Sequence, residues 1–189
     1  MSSHDQYFDY LMHRSRLGEI YRKYWLYPRL SKYMIGTALD IGCGIGDMLA
    51  FRPGTVGVDV NAHTVEYCRQ RGFEAHLMQP DVLPFESGKF DSVLLDNVLE
   101  HIAQPEALLQ DVRRVMVLDG RLLVGVPGIR GWESDTDHKV FYDEEKLQEC
   151  IERNGFTHVK TIHAPLWRSA WLAAHVRQYC IYSIFQQAH

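Results

Sequence analysis

The stretch Leu39-Asp40-Ile41-Gly42-Cys43-Gly44-Ile45-Gly46 carries most of the information about the fold. The apolar run Thr37 to Ile41 stops at glycines in alternate positions, a pattern that predicts a buried strand followed by a turn. Residues 47 to 52 are predicted to form the next helix. Glycine lets the backbone turn tightly and approach a ligand, and amides at a helix start can bind that ligand. A tight strand-to-helix turn without a ligand is the alternative interpretation.

Further strands and helices alternate outward from this stretch. Alternation of this kind predicts an α/β fold with a doubly wound, mostly parallel seven-stranded sheet and helices on both faces. Helices are expected before the sheet, within residues 4 to 34, and Pro28 is expected to open the second of them. The other predicted strands are 55–59, 74–78, 90–95, 121–126, 157–163 and 178–185. The predicted helices are 61–71, a stretch after residue 95, 105–117, 143–154 and 166–177.

A chain of 189 residues is long enough for one domain and too short for two ordinary ones. We therefore expect a single domain over 1–189. Its expected parts are an N-terminal helical cap (1–35), a cofactor-binding core (36–164) and a C-terminal helix with the last strand (165–189).

The composition narrows the class of partner. The formal net charge of −4 does not indicate a nucleic-acid-binding protein, so no nucleic acid is expected. The four cysteines form no Cys-x-x-Cys pair, which argues against a structural zinc site and fits reduced thiols in a cytoplasmic protein. No apolar run approaches the roughly 20 residues that span a bilayer.

Acidic residues follow three successive predicted strands. Asp40 precedes the glycines, Asp59 ends the second strand, and Asp81 follows the third. Ligands of parallel α/β sheets bind at the carboxyl ends of the strands, and an acid there can accept hydrogen bonds from ribose hydroxyls. Each acid alone is typical of a helix cap or a solvated loop, but all three on one rim indicate a nucleoside-containing ligand.

Taken together, these segments resemble the class I S-adenosylmethionine-dependent methyltransferases. The resemblance covers roughly residues 36 to 164 and rests on Leu39–Gly46, Gly57–Asp59, Asp81–Phe85 with Phe90–Val93, and Leu118–Val124. It implies that S-adenosyl-L-methionine is the cofactor. Its methionine portion would be held by Asp40 and the loop residues Gly42, Cys43, Gly44 and Gly46. The ribose would lie at Asp59 and Val60, the adenine at Asp81 and Val82, and the sulfonium end beside Asn97.

Two histidines are the candidate general bases, because methyl transfer to oxygen or nitrogen requires loss of a proton. His101 follows the fourth strand and His138 lies in the loop after the fifth. The alternative is that His101 packs within its helix and His138 is solvated. Some methyltransferases of this class hold a divalent metal with Glu-x-x-Glu-His and a distant His. Because Asn97 stands where the first Glu would be, no metal is expected.

The acceptor is expected to be a small molecule, or a glycan- or lipid-linked precursor, and loop 128–138 is a candidate lid over it. The aromatic tail from Trp167 to Phe185 could contact a membrane surface, although its apolar positions more simply complete the sheet. The N-terminal aromatics are expected to pack as helical core or to cap the pocket; they are Tyr7, Phe8, Tyr10, Tyr21, Tyr24, Trp25 and Tyr27.

Two other functions stay open at this point. An NAD(P)-dependent oxidoreductase shares the fold and the ribose acid, but its fingerprint is Gly-x-Gly-x-x-Gly, whereas the spacing here is Gly-x-Gly-x-Gly. A non-catalytic cofactor-binding scaffold would carry the same glycines and acids.

Overall fold

Seven strands form one sheet in a computed structural model of the protein, which describes the backbone of residues 3–188 and the side chains of residues 8–188. The strands are β1 (Ala38–Ile41), β2 (Thr55–Asp59), β3 (Ala75–Leu77), β4 (Phe90–Asp96), β5 (Met116–Pro127), β6 (Phe156–Ala164) and β7 (Cys180–Gln187). Their order across the sheet is β3-β2-β1-β4-β5-β7-β6. The pairs among β1 to β5 are parallel, and β7 is antiparallel to both neighbours. The predicted fold class is confirmed, whereas the division into cap, core and C-terminal part stays a prediction.

Helices lie before the sheet and between its strands. They are α1 (Ser3–Met12), α2 (Arg16–Tyr21), α3 (Tyr27–Leu30), α4 (Asp47–Phe51), α5 (Ala62–Gln70), α6 (Glu106–Val115), α7 (Ile129–Trp132), α8 (Glu144–Arg153) and α9 (Ala170–His175). A π-helical segment, Arg22–Leu26, joins α2 to α3, and the stretch after β4 is a single 3-10 turn, Leu99–His101. Among the described residues, none of these helices has the length and apolar character needed to cross a bilayer.

The prediction that Pro28 opens the second helix is wrong. The helical run begins at Arg16, where the Ser15 side chain accepts a hydrogen bond from the Gly18 amide, and it continues to Leu30. Pro28 lies late in that run, as the second residue of α3. The π-helical segment just before it changes the backbone pairing, so that the Tyr27 amide donates to the Arg22 carbonyl. A proline is accommodated where helical pairing is already irregular.

Alternation of side chains along the central strands builds a core on each face of the sheet. Because successive strand residues point to opposite faces, Leu39 and Val93 pack in the cluster that includes α6 and α8, and Ala38 and Leu94 pack in the cluster that includes α3. The parallel register places the carboxyl ends of β1, β2, β3 and β4 along one edge. The functional site is built on this edge.

A buried serine fastens the segment after α3 to the sheet. The Ser92 hydroxyl lies on β4, where it donates to the Ile35 carbonyl (2.8 Å) and accepts from the Ile35 amide (2.6 Å). The side chain of Ser92 is fully buried. It therefore satisfies both main-chain groups of the residue that leads from the N-terminal helices into the core.

We expect Ser92→Ala to lower the free energy of unfolding by about 1–3 kcal/mol, because a donor and an acceptor lose their partner at once. Urea denaturation measures this, and Ser87→Ala is the matched control because Ser87 is exposed. Equal stability of the two variants would show that the contact to Ile35 contributes nothing.

Candidate functional site

A cavity of about 470 Å³ opens at the carboxyl ends of β1 and β4. The glycine turn after β1 forms one wall, and the segment from Asp96 to His101 forms another. Residues of α1, α2 and the π-helical segment cover it, and Gly131 to His138 close it on the side of β5. The sheet edge that the sequence predicts as a binding rim thus lies beneath an enclosing layer of N-terminal helices.

The glycine turn has backbone geometry that other residues rarely adopt. Gly42 and Gly44 have φ angles of 72° and 52°, and both line the cavity with Cys43. A Cβ at Gly42 would lie 2.6 Å from Cγ2 of Val98, so the turn leaves no room for a side chain there. Gly46 has a different role: it caps α4 with a φ of 80°, and a Cβ there would lie 3.0 Å from Phe73 and from the Cys68 sulfur.

Asp59 supports the same turn from the end of β2. Its carboxylate accepts from the Gly44 amide (2.9 Å) and from the Asn61 amide (2.8 Å), and it is buried. A carboxylate oxygen accepts more than one hydrogen bond, so supporting the turn is compatible with the predicted role toward a ribose.

Two acids meet on the cavity side of the sheet. Asp40 is the last residue but one of β1, and Asp96 is the last residue of β4; both line the cavity. Burial, followed by the charges of Asp96 and Asp59, raises the pKa of Asp40 well above its usual range. Burial also raises the pKa of Asp96, although Tyr182 donates a hydrogen bond to its carboxylate (2.8 Å). This wall of the cavity therefore favours positively charged or proton-donating groups.

Two arginines of the N-terminal segment bring positive charge to the cavity. Arg14 and Arg22 both reach Asp47 on α4, with N–O distances of 2.7 Å and 3.3 Å. Buried nitrogens of Arg22 and the buried hydroxyl of Tyr21 have no hydrogen-bond partner among the described residues. All four side chains line the cavity. These donors mark the part of the cavity that fits an anionic group.

The N-terminal aromatic side chains, which are expected to pack as helical core or to cap the pocket, lie in different environments. Tyr10, Tyr21 and Tyr27 line the cavity. Phe8 packs against His63 and Tyr67, with ring centroids 6.2 Å and 5.7 Å apart. Tyr24 and Trp25 are exposed, and the side chain of Tyr7 lies outside the described residues.

The two candidate bases come together at the other end of the cavity. The ring centroids of His101 and His138 are 4.6 Å apart, and His138 is buried rather than solvated, with 7% of its side chain exposed. Burial, and then the neighbouring His138, lowers the pKa of His101. Glu100 is fully buried beside them, and burial raises the pKa of Glu100 to about 8.

Five of the predicted cofactor residues do not line this cavity. Gly46 and Asp59 belong to the support of the glycine turn described above. Val60, Asp81 and Val82 are exposed and follow the ends of β2 and β3. Asn97, in contrast, lines the cavity with a φ of 56° and donates from its side chain to the Asp96 carboxylate (2.8 Å). The assignment of cofactor contacts to all of these residues stays a prediction.

Sequence reasoning missed several cavity residues. Asp96 carries the same signal as Asp40 and Asp59, an acid at the end of a buried strand, and that rule would have identified it. Arg14, Arg22 and Asp47 carry no such signal, because their helices reach the cavity only through tertiary packing. The same is true of Arg177, Cys180 and Tyr182, which line the cavity from the C-terminal segment.

Part of the chain matches a known protein family. Residues 39–124 match the family described as "Methyltransferase domain". A 37.1 kDa protein of unknown function from a Streptomyces fradiae transposon is 37% identical over 112 residues, which are 53% of this chain and 32% of that protein. A tRNA (carboxymethyluridine(34)-5-O)-methyltransferase from Xenopus tropicalis is 31% identical over 105 residues, 53% of this chain and 16% of that protein. The chain thus spans less than two thirds of these curated relatives.

A solved structure extends the likeness in fold beyond the matched segment. A protein described as a SAM-dependent methyltransferase from Archaeoglobus fulgidus superposes with a TM-score of 0.73 at 19% sequence identity, over 95% of this chain and 98% of that one. Residues 39–124 therefore match a methyltransferase-domain family, and the described chain as a whole has the fold of class I, S-adenosylmethionine-dependent methyltransferases.

Proposed function

We propose that this protein transfers a methyl group from S-adenosylmethionine to a small molecule, or to a glycan- or lipid-linked precursor. The observation that carries the proposal is the cavity itself, which is lined both by the glycine turn and by the Glu100, His101 and His138 side chains. Its volume of about 470 Å³ lies in the range of small-ligand sites. The N-terminal helices cover part of it, which suits a small group rather than an extended polymer.

The residues present fit the cofactor. The methionine part of S-adenosylmethionine carries an ammonium and a carboxylate. Asp40 and Asp96 offer acceptors to the first, and Nη2 of Arg22, which has no hydrogen-bond partner among the described residues, offers a donor to the second. Asp59 at the end of β2 would accept from the ribose, and the exposed residues Val60, Asp81 and Val82 would contact the adenine.

The bound cofactor supplies a methyl carbon that is already activated by its positive sulfur, so the protein mainly contributes alignment and exclusion of water. Arg14 and Arg22 fix the N-terminal helices to Asp47 beside the glycine turn and thereby close the cavity. The histidine pair lies where the acceptor would enter and is proposed to receive its proton. These residues perform separate tasks at opposite ends of one space.

A tRNA acceptor is the second candidate, because some curated relatives are named as tRNA methyltransferases. A net charge of −4 gives this chain no general attraction for a polyanion. The expectation that no nucleic acid is involved stays a prediction, and so does contact of the aromatic tail with a membrane.

Titration calorimetry with S-adenosylmethionine, S-adenosylhomocysteine, NADH and NADPH tests the cofactor. We expect selective binding of the two adenosyl sulfur compounds. Transfer of labelled methyl groups into small-molecule, glycan and lipid extracts, with total tRNA in parallel, then tests the acceptor. Label only in tRNA would favour the second candidate, binding without transfer would favour a scaffold, and binding of a nicotinamide alone would overturn the proposal.

Asp59→Ala should weaken binding of S-adenosylhomocysteine by at least roughly tenfold, the scale of one or two charge-assisted hydrogen bonds. Calorimetry measures the change. Asp59→Asn keeps one acceptor oxygen for the glycine turn and should lose less, and Glu86→Ala, which alters an exposed acid, is the control. Unchanged affinity in a folded Asp59→Ala protein would exclude the ribose role.

Because the pKa of Asp40 is raised, we expect the protein without cofactor to lose free energy of unfolding as pH rises. The folded protein holds this proton more tightly than the unfolded chain, so stability falls as pH rises from the ordinary Asp range through the raised pKa. We expect Asp40→Asn to be more stable than wild type near about pH 8, by on the order of 1 kcal/mol, with a smaller difference near about pH 5.

Urea denaturation at both pH values measures this effect, and Asp91→Asn provides a control of opposite sign. The Thr37 amide and hydroxyl donate to Asp91 (both 2.8 Å), which lowers the pKa of that carboxyl. Asp91→Asn should therefore lose stability near about pH 8. If Asp40→Asn were equally or less stable than wild type at that pH, the charge of Asp40 would not be a burden on the fold.

A further inference from the structure

Three side chains that can ligate a metal meet at the acceptor end of the cavity. Glu100, His101 and His138 each offer one ligand atom, and these atoms all lie within 4.8 Å of one another. They come from two separate segments, the 3-10 turn after β4 and the loop after α7. All three line the cavity, so a bound group would be reachable from the space that holds the acceptor.

Glu100 is a buried carboxylate without compensation. It is 0% exposed, and within the part of the chain that the structure describes neither of its side-chain oxygens has a hydrogen-bond partner. The main chain fixes its position, since the Glu100 carbonyl accepts from the amides of Lys139 (2.7 Å) and Val140 (3.1 Å). A buried carboxylate is costly unless a partner neutralises it. The fold therefore holds this side chain at a point where a positively charged ligand would offset the free-energy cost of burying the carboxylate.

His138 is oriented as a metal ligand would be. Its Nδ1 lies 2.7 Å from the Trp132 carbonyl oxygen, which can only accept, so Nδ1 carries the proton. Nε2 then presents its lone pair toward the cluster, 3.9 Å from Oε1 of Glu100. Histidines that bind metals commonly donate their other ring N–H to a main-chain carbonyl in this way. The His101 ring lies beside the His138 ring, and their centroids are 4.6 Å apart.

We propose that Glu100, His101 and His138 bind one divalent transition-metal cation. Two imidazoles and one carboxylate suit zinc, manganese or iron(II). Three protein ligands leave coordination positions open, as in catalytic rather than structural sites. Here the open positions face the cavity.

The sequence expectation of no metal rests on Asn97, and Asn97 does not belong to this cluster. The side-chain nitrogen of Asn97 donates to Asp96, and its side-chain oxygen accepts from the Cys180 thiol at 3.7 Å. Glu100 and His101 correspond to the Glu-His of the pattern, and His138, 37 residues after His101 along the chain, corresponds to its distant His. The missing first Glu is therefore no obstacle to a site with three ligands.

A cation in this place would define the acceptor chemistry, a consequence that rests on the proposed function. It would hold an acceptor oxygen or nitrogen and favour loss of its proton. The two histidines would then act as ligands instead of as bases. Acceptors with adjacent oxygen or nitrogen donors would bind best, since they can occupy two open positions.

The test uses the full chain, freed of metal by a chelator, with neither cofactor nor acceptor present. Titration with Co²⁺ followed by visible absorption, and Zn²⁺ content after dialysis by mass spectrometry, should each give one cation per chain. Glu100→Gln keeps the side-chain volume, and His138→Gln removes the oriented ligand. Each should weaken binding by at least roughly tenfold.

His175→Gln is the matched control, because the His175 Nδ1 also lies against a main-chain carbonyl, that of Trp171 at 2.8 Å, on an exposed surface. This variant should bind like wild type. The proposal is overturned if wild type binds no stoichiometric cation, or if Glu100→Gln and His138→Gln bind as tightly as His175→Gln. The proposal would also be overturned if an organic amine bound beside the Glu100 carboxylate while no metal cation bound there. Because cofactor titration is a separate measurement, failure here leaves the methyltransferase proposal standing.

Discussion

Parallel pairing of β1 with β4 is the constraint on which the site depends. The register sets Ala38 beside Ser92 and Ile41 beside Leu95, so both strands end at the same edge of the sheet. Asp40 and Asp96 then lie on the same face, and the glycine turn follows directly beyond Ile41. A slip of one residue in either strand would turn the acid of that strand into the opposite core. Because both strands are apolar on both faces, it is the burial of this acid that opposes such a slip.

The cavity is polar at a position where the fold would otherwise bury apolar side chains. Asp40, Asp96 and Glu100 all have carboxyl groups whose pKa burial raises. Charges held in this way cost stability when the cavity is considered alone, and they serve ligands of opposite charge. The remainder of the fold offsets the cost through two large apolar clusters on the faces of the sheet.

The N-terminal helices turn an open rim into an enclosed site. Leu26, Tyr27 and Leu30 attach this layer to the sheet by packing into the apolar cluster on one of its faces. Polar contacts add to this packing: the Ser92 hydroxyl with Ile35, and Arg14 and Arg22 with Asp47. Trp25 adds a hydrogen bond from its indole to the Pro165 carbonyl at 2.6 Å.

The sequence by itself determined the α/β fold, the seven strands and the glycine turn, because these depend on local periodicity and on the special φ angles of glycine. It also indicated Asp40 and Asp59, because acids at the carboxyl ends of successive parallel strands fall on one rim of the sheet. Only the tertiary structure decided which residues share the cavity. Arg22, Cys180 and the pairing of His138 with Glu100 arise from contacts between segments far apart in the chain, and no local pattern records such contacts. The same reason explains why the cofactor end of the site can be predicted from sequence, whereas the acceptor end is assembled from loops and helices that only folding brings together.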